Sequence, residues 1–114
     1  MDNCLFCRII DGKIPAKTVY QDETAVAIED IHPQSPTHLL VLPRKHISSL
    51  LDAGAEDAAL LGHLFLVAGR LAHERGLDSG GYRTVINTGE GAGQTVFHLH
   101  VHVLGGRAFH WPPG

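Results

Sequence analysis

The 114-residue sequence lacks three features that would mark out large classes of protein. Its longest uninterrupted apolar stretch, residues 64–68, is far too short to span a bilayer. Residues 1–4 lack the basic segment followed by an apolar one that is typical of a secretory leader. The 9 Lys and Arg residues are scattered and the formal net charge is −3, so no basic stripe suits DNA or RNA. These absences predict a cytoplasmic protein that binds neither membranes nor nucleic-acid polymers.

Cysteine is also scarce, because the chain has only Cys4 and Cys7, in Cys-x-x-Cys spacing. In a reducing compartment this spacing indicates a metal clip or a redox pair before it indicates a structural disulfide. A thioredoxin-like redox pair is disfavoured, since the expected βαβ unit does not follow the motif. Two unligated thiols in a short helix are the remaining alternative, because cysteine is a common small buried residue.

The apolar periodicity and the turn residues predict one compact domain over residues 1–114. The predicted elements are a short helix at 5–11, strands at 18–21, 25–29 and 38–42, a long helix at 56–75, and strands at 82–87 and 96–104. Closely spaced strands favour antiparallel pairing. We therefore expect an α+β fold with a five-stranded, mostly antiparallel sheet, one long helix and one short helix.

Histidine is abundant, with 9 residues, and three of them alternate along one predicted strand at His98, His100 and His102. Alternation would place all three on one face, with neighbouring imidazoles about 7 Å apart. A solvated strand face rarely carries three such rings, since they repel one another whenever they charge. Two kinds of chemistry remain. One is a catalytic zinc site with an open position, and the other is nucleophilic attack of an imidazole on phosphorus.

Residues 94–104, Gln-Thr-Val-Phe-His-Leu-His-Val-His-Val-Leu, resemble the signature of the histidine-triad (HIT) family. Residues 30–38, 105–107 and 110–114 resemble the Hint branch of that family, the purine nucleoside phosphoramidases. The resemblance extends over nearly the whole chain. It implies a HIT-like fold and a nucleotide-binding hydrolase that cleaves the P–N bond of purine nucleoside 5'-phosphoramidates, without an organic cofactor.

By this resemblance, His100 attacks the α-phosphorus and becomes nucleotidylated, and water then releases the nucleoside monophosphate. His102 hydrogen-bonds the phosphate and helps carry a proton to the leaving amine. His98 and His38 support and orient the site. A backbone carbonyl next to the triad would hold the tautomer of the nucleophile, which must be neutral to attack phosphorus.

The resemblance also implies the contacts to the nucleotide, and Asp30 is placed to accept both ribose hydroxyls. An ordinary Asx-turn is the alternative for Asp30, because the pattern Asp-x-x-Pro, which Asp30 and Pro33 form here, is common in turns. On the phosphate side, the implied contacts are Asn87, Gly93, Gln94 and Thr95. Around the base, the implied contacts are Phe6, Ile9, Ile28, Ile31 and Leu40, although apolar residues at such spacing are also typical of ordinary core.

Some bacterial members of the resembled family carry an N-terminal Cys-x-x-Cys that binds zinc. The resemblance extends the ligand set here to Cys4, Cys7, His46 and His98. Four such ligands are typical of a structural zinc site. We expect about one zinc ion per chain, and a fully active metal-free protein would contradict that expectation.

The tail at residues 109–114 is apolar for a segment at the end of a small domain. The resemblance implies a homodimer in which Trp111 reaches toward the partner's site. Two other functions remain open at this point. The protein could be a diadenosine polyphosphate hydrolase, or a nucleotide-binding scaffold or sensor with incidental hydrolysis.

Overall fold

A computed structural model of the protein describes residues 3–114. The elements are α1 (Leu5–Ile10), β1 (Thr18–Gln21), β2 (Ala25–Glu29), β3 (Thr37–Pro43), α2 (Ala58–Glu74), β4 (Tyr82–Val85) and β5 (Val101–Gly105). Short 3-10 turns cover Leu50–Asp52, Ala55–Asp57 and Glu90–Ala92. The strand order is β1-β2-β3-β5-β4, and each neighbouring pair is antiparallel. The predicted α+β class and five-stranded sheet are confirmed.

Both ends of helix α1 carry residues that are suited to capping a helix. The Cys7 N–H donates to Cys4 Sγ at 3.3 Å, so a cysteine serves as the N-cap. At the other end, Asp11 is the C-cap and Gly12 follows with a φ of +78°, a conformation that favours glycine. The helix therefore ends where the glycine predicted it, and its first turn carries both cysteines.

The Asp22 side chain stabilises the turn of the β1–β2 hairpin and also contacts helix α2. One carboxylate oxygen of Asp22 accepts the N–H groups of Thr24 and Ala25, both at 2.8 Å. The other oxygen accepts the Tyr20 hydroxyl at 2.7 Å and lies 2.6 Å from His63 Nε2 on α2. The Tyr20 hydrogen bond leads the effects that hold the Asp22 pKa far below its usual range. The edge hairpin is thus joined to the helix.

Helix α2 covers one face of the sheet with its apolar stripe. The buried residues of that stripe are Leu64, Val67, Ala68, Leu71 and Ala72. They pack on the inward side chains of β3 and β5, which are Leu39, Val41, Val101 and Val103. Burial of these side chains removes apolar surface from water and supplies most of the driving force for folding. Within residues 3–114, no helix is long and apolar enough to cross a membrane.

The opposite face of the sheet carries a second, smaller core beneath α1. Side chains alternate along β3, so Leu40 and Leu42 point away from α2. They meet Val26 and Ile28 of β2 and Phe6 of α1. His38 has the same parity as Leu40 on β3, and His102 pairs with Leu40 across the β3–β5 ladder. This face therefore holds the chemically interesting histidines.

Candidate active site

The alternating histidines do not share one strand face, contrary to the prediction from their spacing. The strand predicted at 96–104 begins only at Val101, so two of the three histidines precede it in irregular chain. If the β3–β5 ladder continued for two residues beyond the pair Val41 and Val101, it would reach Pro43. Proline has no N–H to donate to the partner strand. The Pro43 carbonyl is 2.7 Å from His98 Nε2 and so is already used. The sheet ends there, and each histidine meets different partners, with only His102 on the strand.

The His98 ring is completely buried, and its two nitrogens have different roles. Nε2–H donates to the Pro43 carbonyl, so the neutral ring keeps a lone pair on Nδ1. Nδ1 lies 3.4 Å from Cys4 Sγ, 3.5 Å from Cys7 Sγ and 3.2 Å from His46 Nδ1. Burial is the main cause that lowers the His98 pKa. A neutral ring therefore turns its lone pair toward three other metal-binding groups.

These four residues, Cys4, Cys7, His46 and His98, are called the metal cluster below, and their donor atoms all lie within 4.8 Å of one another. In tetrahedral zinc sites, bonds of about 2.3 Å to sulfur and about 2.1 Å to nitrogen set neighbouring ligand atoms about 3.3 to 3.8 Å apart. The Cys7 Sγ to His46 Nδ1 distance is 3.4 Å, and the His98 distances are similar. The donor set and its spacing fit a structural zinc.

Without a metal, the Cys7 thiol is protonated at neutral pH. Burial raises the Cys7 pKa to about 11, with a smaller contribution from a hydrogen bond with Cys4. A zinc ion held by this residue would bind the thiolate, so its binding would release this proton.

His100 is held in one tautomer by the main chain of the histidine two residues before it. Its Nδ1–H donates to the His98 carbonyl at 2.7 Å, which leaves the lone pair of the neutral ring on Nε2. The Phe6 ring packs edge-on against it, with the ring centroids 5.0 Å apart. Burial lowers the His100 pKa, which favours the neutral form. The ring lines a cavity, so it meets the requirements for an uncharged nucleophile.

His102 carries its proton on the other nitrogen because of a chain of hydrogen bonds, called the proton chain below. The Gln34 N–H donates to His38 Nδ1 at 3.0 Å, so neutral His38 holds its proton on Nε2. That nitrogen lies 2.9 Å from His102 Nδ1 and 3.3 Å from Asp30 Oδ2. Nδ1 of His102 therefore accepts, and its proton sits on Nε2. Asp30 Oδ1 accepts the N–H of His32 at 2.8 Å, which is the Asx-turn considered above.

The two ring pKa values in the proton chain are both lowered, mainly by burial. For His38, the Asp30 charge opposes this effect without reversing it. For His102, burial and the neighbouring rings of His100 and His38 lower the pKa to about 4. Both rings are therefore neutral at physiological pH, and the hydrogen positions derived above describe that state.

A cavity of about 290 Å³ opens between α1 and the sheet at the triad. Its apolar lining includes residues predicted to surround the base, which are Phe6, Ile9, Ile28, Ile31 and Leu40. Its polar lining includes Asp30, Thr95, His100 and His102. Small-molecule sites typically combine an apolar pocket with a few convergent polar groups. The structure therefore brings together nine of the residues predicted to contact a nucleotide.

Three predicted phosphate contacts lie outside this cavity. The Gln94 side chain accepts the Gly89 N–H at 2.9 Å and donates to the carbonyl of Ser48 at 2.7 Å. Buried in this way, Gln94 shapes the loop before the triad. Gly93 ends that loop with a φ of +95°, a conformation that favours glycine. Asn87 lines an adjacent groove of about 250 Å³, which also reaches His102.

Several residues of the site gave no usable sequence signal. Residues 14–16 are predicted as a connector, yet they line the cavity. Leu5 and Val96 also line it without matching any predicted contact. The Gln34 N–H sets the tautomer of His38, and the Pro43 carbonyl sets that of His98. Both are main-chain groups, and nearly every residue carries the same ones. Only the fold brings them to the histidines.

Comparison with known proteins places this geometry in a family. Residues 3–110 match the family described as scavenger mRNA decapping enzyme C-term binding. A HIT-like protein of Synechococcus elongatus is 52% identical over 113 residues, which cover 99% of this chain and 98% of that protein. The crystal structure of a HIT family hydrolase from Legionella pneumophila is 49% identical with a TM-score of 0.96, covering 98% of this chain and 100% of that chain.

A zinc-bound histidine triad family protein from Mycobacterium smegmatis is also similar in structure. It is 38% identical with a TM-score of 0.80, and the match covers 93% of this chain and 76% of that chain. The sequence matches extend over nearly the full length and include the triad and the cavity. The chain therefore belongs to the histidine-triad (HIT) family.

Proposed function

We propose that this protein is a nucleotide-binding hydrolase that cleaves the P–N bond of purine nucleoside 5'-phosphoramidates through a nucleotidyl adduct on His100. The observation that carries the proposal is the opposite placement of protons on two adjacent rings beside one cavity. His100 presents a lone pair on Nε2, and His102 presents an N–H. Hydrolases among the structural relatives support the reaction class.

In this proposal the nucleoside lies in the cavity with its base against the apolar lining residues and its ribose at Asp30. Phe6 and Leu40 supply apolar walls for a purine ring. Asp30 keeps lone pairs for the ribose hydroxyls, because a carboxylate has about four acceptor positions and its turn uses only one. The α-phosphate then lies near Thr95, between His100 and His102.

In the first step, His100 Nε2 attacks the α-phosphorus, and the bond from phosphorus to the leaving amine breaks. The His100 Nδ1–H continues to donate to the His98 carbonyl, and this hydrogen bond stabilises the positive charge that develops on the His100 ring. The bound phosphate anion raises the His102 pKa, so the ring takes up a proton on Nδ1 with the substrate, and the His38 Nε2–H then donates to Asp30 Oδ2 instead. His102 gives its Nε2 proton to the departing amine and becomes neutral.

In the second step, water attacks the phosphorus of the adduct. His102 Nε2 accepts one proton of that water, and the hydroxyl joins phosphorus as the bond to His100 Nε2 breaks. The nucleoside monophosphate leaves, and His102 releases the proton that it took up with the substrate. Both rings return to their starting tautomers. General acid and base catalysis of this kind contributes about a hundredfold to ten-thousandfold in rate.

The decisive experiment is trapping of the adduct with an adenosine phosphoramidate. Rapid quenching in denaturant at alkaline pH, where the bond from phosphorus to histidine nitrogen survives, and mass spectrometry should find one nucleotidyl group on wild-type protein, on the peptide that contains His100. His100→Asn and His100→Gly should form no adduct. His73→Asn is the matched control, because His73 lies on the exposed surface of α2 and should leave the adduct unchanged. Binding without an adduct on wild-type protein would instead favour a nucleotide-binding scaffold or sensor.

One observation favours diadenosine polyphosphate hydrolysis as a second candidate. The groove beside His102 also carries Arg83 and Arg107, whose guanidinium groups stack on Phe109 at 5.2 and 4.2 Å. Two cations there would suit a phosphorylated leaving group better than an amine. The ratio of kcat/KM for phosphoramidates and for diadenosine polyphosphates decides between the candidates. A ratio well above one supports the phosphoramidase.

We also propose one structural zinc ion per chain in the metal cluster. Support comes from the converging donor atoms and from the zinc-bound relative of Mycobacterium smegmatis. The zinc would join α1 to the loop before β5 and would leave no open position for substrate. Elemental analysis of protein purified without added metal should give about one zinc per chain.

A homodimer is the proposed assembly. Strand β4 is at one edge of the sheet, and edge strands present unpaired N–H and carbonyl groups. Leu66 on α2 is 75% exposed and Trp111 in the tail is 84% exposed, so apolar surface remains uncovered in a single chain. A second copy would cover it and bring Trp111 toward the partner's cavity. A stable monomer in sedimentation velocity would contradict this assembly.

A further inference from the structure

We propose that the groove beside His102 is an anion-binding subsite for the leaving group, so that the preferred substrates are nucleoside phosphoramidates whose amine carries a carboxylate or a phosphate. This inference rests on the function proposed above, because that reaction defines the leaving group. It goes further by naming the chemical class of the amine. The groove has a volume of about 250 Å³ and is called the arginine groove below, after Arg83 and Arg107 in its wall.

The register of two strands places the first arginine on the same face of the sheet as the triad. Val85 of β4 lies opposite His102 of β5, and Arg83 lies opposite Leu104. Directly paired residues on neighbouring antiparallel strands project from the same face. The Arg83 side chain therefore projects from the face that carries His102, two residues along β4. The edge strand beside the triad thus supplies a cation to this face.

The chain after β5 brings the second arginine to the groove and fixes both. Arg107 Nε donates to the Gln34 carbonyl at 2.9 Å, and its Nη1 donates at 2.9 Å to the carbonyl of the next residue. Arg83 Nη2 donates to the His110 carbonyl at 2.8 Å. Both guanidinium groups also stack on the Phe109 ring. These contacts hold two long side chains in place without neutralising their charge.

Neither arginine has a carboxylate partner within residues 3–114. The four ion pairs that lysine and arginine form in that range all use other residues. A guanidinium has five N–H groups, so Arg83 keeps four and Arg107 keeps three for a further acceptor. Two like charges beside one aromatic ring repel each other, and an anion bound between them would offset that repulsion. The groove therefore offers both the charge and the donors that an anionic group needs.

The arginine groove and the nucleotide cavity meet at His102, whose ring lines both. In the proposed reaction His102 gives its Nε2 proton to the departing amine, so the amine nitrogen lies within hydrogen-bond distance of this ring. The base and the ribose occupy the cavity. The rest of the leaving group therefore extends into the groove, and a short chain ending in a carboxylate or phosphate would bring its oxygens to Arg83 and Arg107.

The chemistry of the two side chains explains why an anion is selected. The planar guanidinium matches the paired oxygens of a carboxylate or a phosphate, and such charge-assisted hydrogen bonds are stronger than neutral ones. An uncharged amine would leave both arginines without this acceptor. The contacts lie away from the breaking bond and form equally in the bound substrate and in the transition state. Their effect should therefore be mainly on KM.

The test uses three adenosine phosphoramidates that share a two-carbon amine. The amines are ethanolamine, which is uncharged beyond its nitrogen, β-alanine, which adds a carboxylate, and O-phosphoethanolamine, which adds a phosphate. On wild-type protein, kcat/KM for a charged member should exceed that for the ethanolamine member by about tenfold. The preference should shrink as ionic strength rises. A higher value for β-alanine identifies amino-acid-like leaving groups, and a higher value for phosphoethanolamine identifies phosphate monoesters. Equal values for all three overturn the proposal.

Variants show whether the preference comes from the arginine groove. Arg83→Gln and Arg107→Gln should each lower kcat/KM for the charged members about tenfold more than for the ethanolamine member. Arg83→Lys keeps the charge and a donor for the His110 carbonyl, so it should retain part of the preference. Arg70→Gln is the matched control, because Arg70 lies on α2 and pairs with Glu74. Equal losses for charged and uncharged members would mean that the arginines only hold the tail, and would overturn the proposal.

Binding measured without turnover keeps this inference distinct from the proposed function. His100→Asn lacks the nucleophile, so calorimetry can measure Kd for all three compounds on this variant and on its combination with Arg83→Gln. If the charged members bind more tightly through Arg83 but wild-type protein forms no adduct with any compound, the anion subsite is right and the phosphoramidase reaction is wrong. If wild-type protein forms the adduct from all three with equal kcat/KM, and their Kd values are equal, the reaction is right and the anion subsite is wrong.

Discussion

The triad belongs to two clusters of potential metal-binding side chains, since His98 is in one and His102 is in the other, and the two clusters differ in where their protons lie. The metal cluster of Cys4, Cys7, His46 and His98 and the group Asp30, His38 and His102 each hold their donor atoms within 4.8 Å. In the metal cluster, His98 turns a lone pair toward two thiols and a second imidazole. Every donor can therefore bind one central cation.

In the second group, which belongs to the proton chain, one donor is already taken. The Gln34 N–H uses the lone pair on His38 Nδ1, so the hydrogen of the neutral ring is on Nε2. That hydrogen lies between His102 Nδ1 at 2.9 Å and Asp30 Oδ2 at 3.3 Å. The His38 N–H therefore points into this group and donates to His102 Nδ1, so neutral His38 offers no lone pair there to a cation. The comparison teaches that the positions of protons, more than the identity of donors, distinguish a metal site from a catalytic relay.

Removal of His102 should have the largest effect that separates the two clusters. We expect His102→Ala to lower kcat/KM for an adenosine phosphoramidate by about a thousandfold, because the phosphate loses a donor and the leaving amine loses its acid. Zinc content should stay at the wild-type value. Steady-state kinetics and elemental analysis on the same preparation measure both. Loss of zinc from this variant would show that the two clusters are not chemically separate.

The second largest effect should come from Cys4→Ala, which removes one thiolate and the N-cap of α1. Zinc should be lost, and the free energy of unfolding should fall by about 4 kcal/mol where free zinc is about a thousandfold above its dissociation constant. Thermal denaturation with and without chelator measures this. The comparison variant is Asp30→Asn, which should keep its zinc. Equal melting temperatures of wild-type protein with and without chelator would refute the structural metal.

A third effect concerns pH and the ring of His102. Burial leads the causes that lower its pKa from 6.5 to about 4, so the unfolded chain binds the proton first on acidification. The contribution of this group to stability is present above pH 6.5, decreases as pH falls toward about 4, and changes no further below that. The total loss is about 3 kcal/mol. Urea denaturation across this range should show wild type losing stability relative to His102→Gln. A constant difference would mean that the ring is not buried as a neutral group.

Most of the fold follows from local patterns in the sequence. The apolar rows at the helical period predict a helix over 56–75, and α2 forms at Ala58–Glu74 with a 3-10 turn just before it. The strand predicted at 25–29 is β2. The prediction fails at residues 98 and 100, where alternation indicates a strand. The ladder ends early because Pro43 stands opposite, and that pairing depends on the register between two distant segments.

The residues of the candidate site could be predicted from the sequence, whereas the positions of their protons could not. The histidines and cysteines stand out by type and spacing, and resemblance to a family assigns them to one site. The proton positions could not be predicted, because they depend on main-chain groups of Gln34, Pro43 and His98. Main-chain groups are the same in nearly every residue and leave no trace in the sequence. The mechanism is therefore the part that needed three-dimensional structure.

The smallest predicted effect tests whether His38 acts only by setting the tautomer of its neighbour. His38→Asn removes the Nε2–H that His102 Nδ1 accepts, so His102 becomes free to move its own hydrogen to Nδ1. Without this partner the His102 ring is no longer oriented toward the phosphate, and kcat should fall by about tenfold with little change in KM. The zinc content should not change. A loss as large as that of His102→Ala would mean that His38 itself takes part in proton transfer, and the proton chain would then be a relay two rings long.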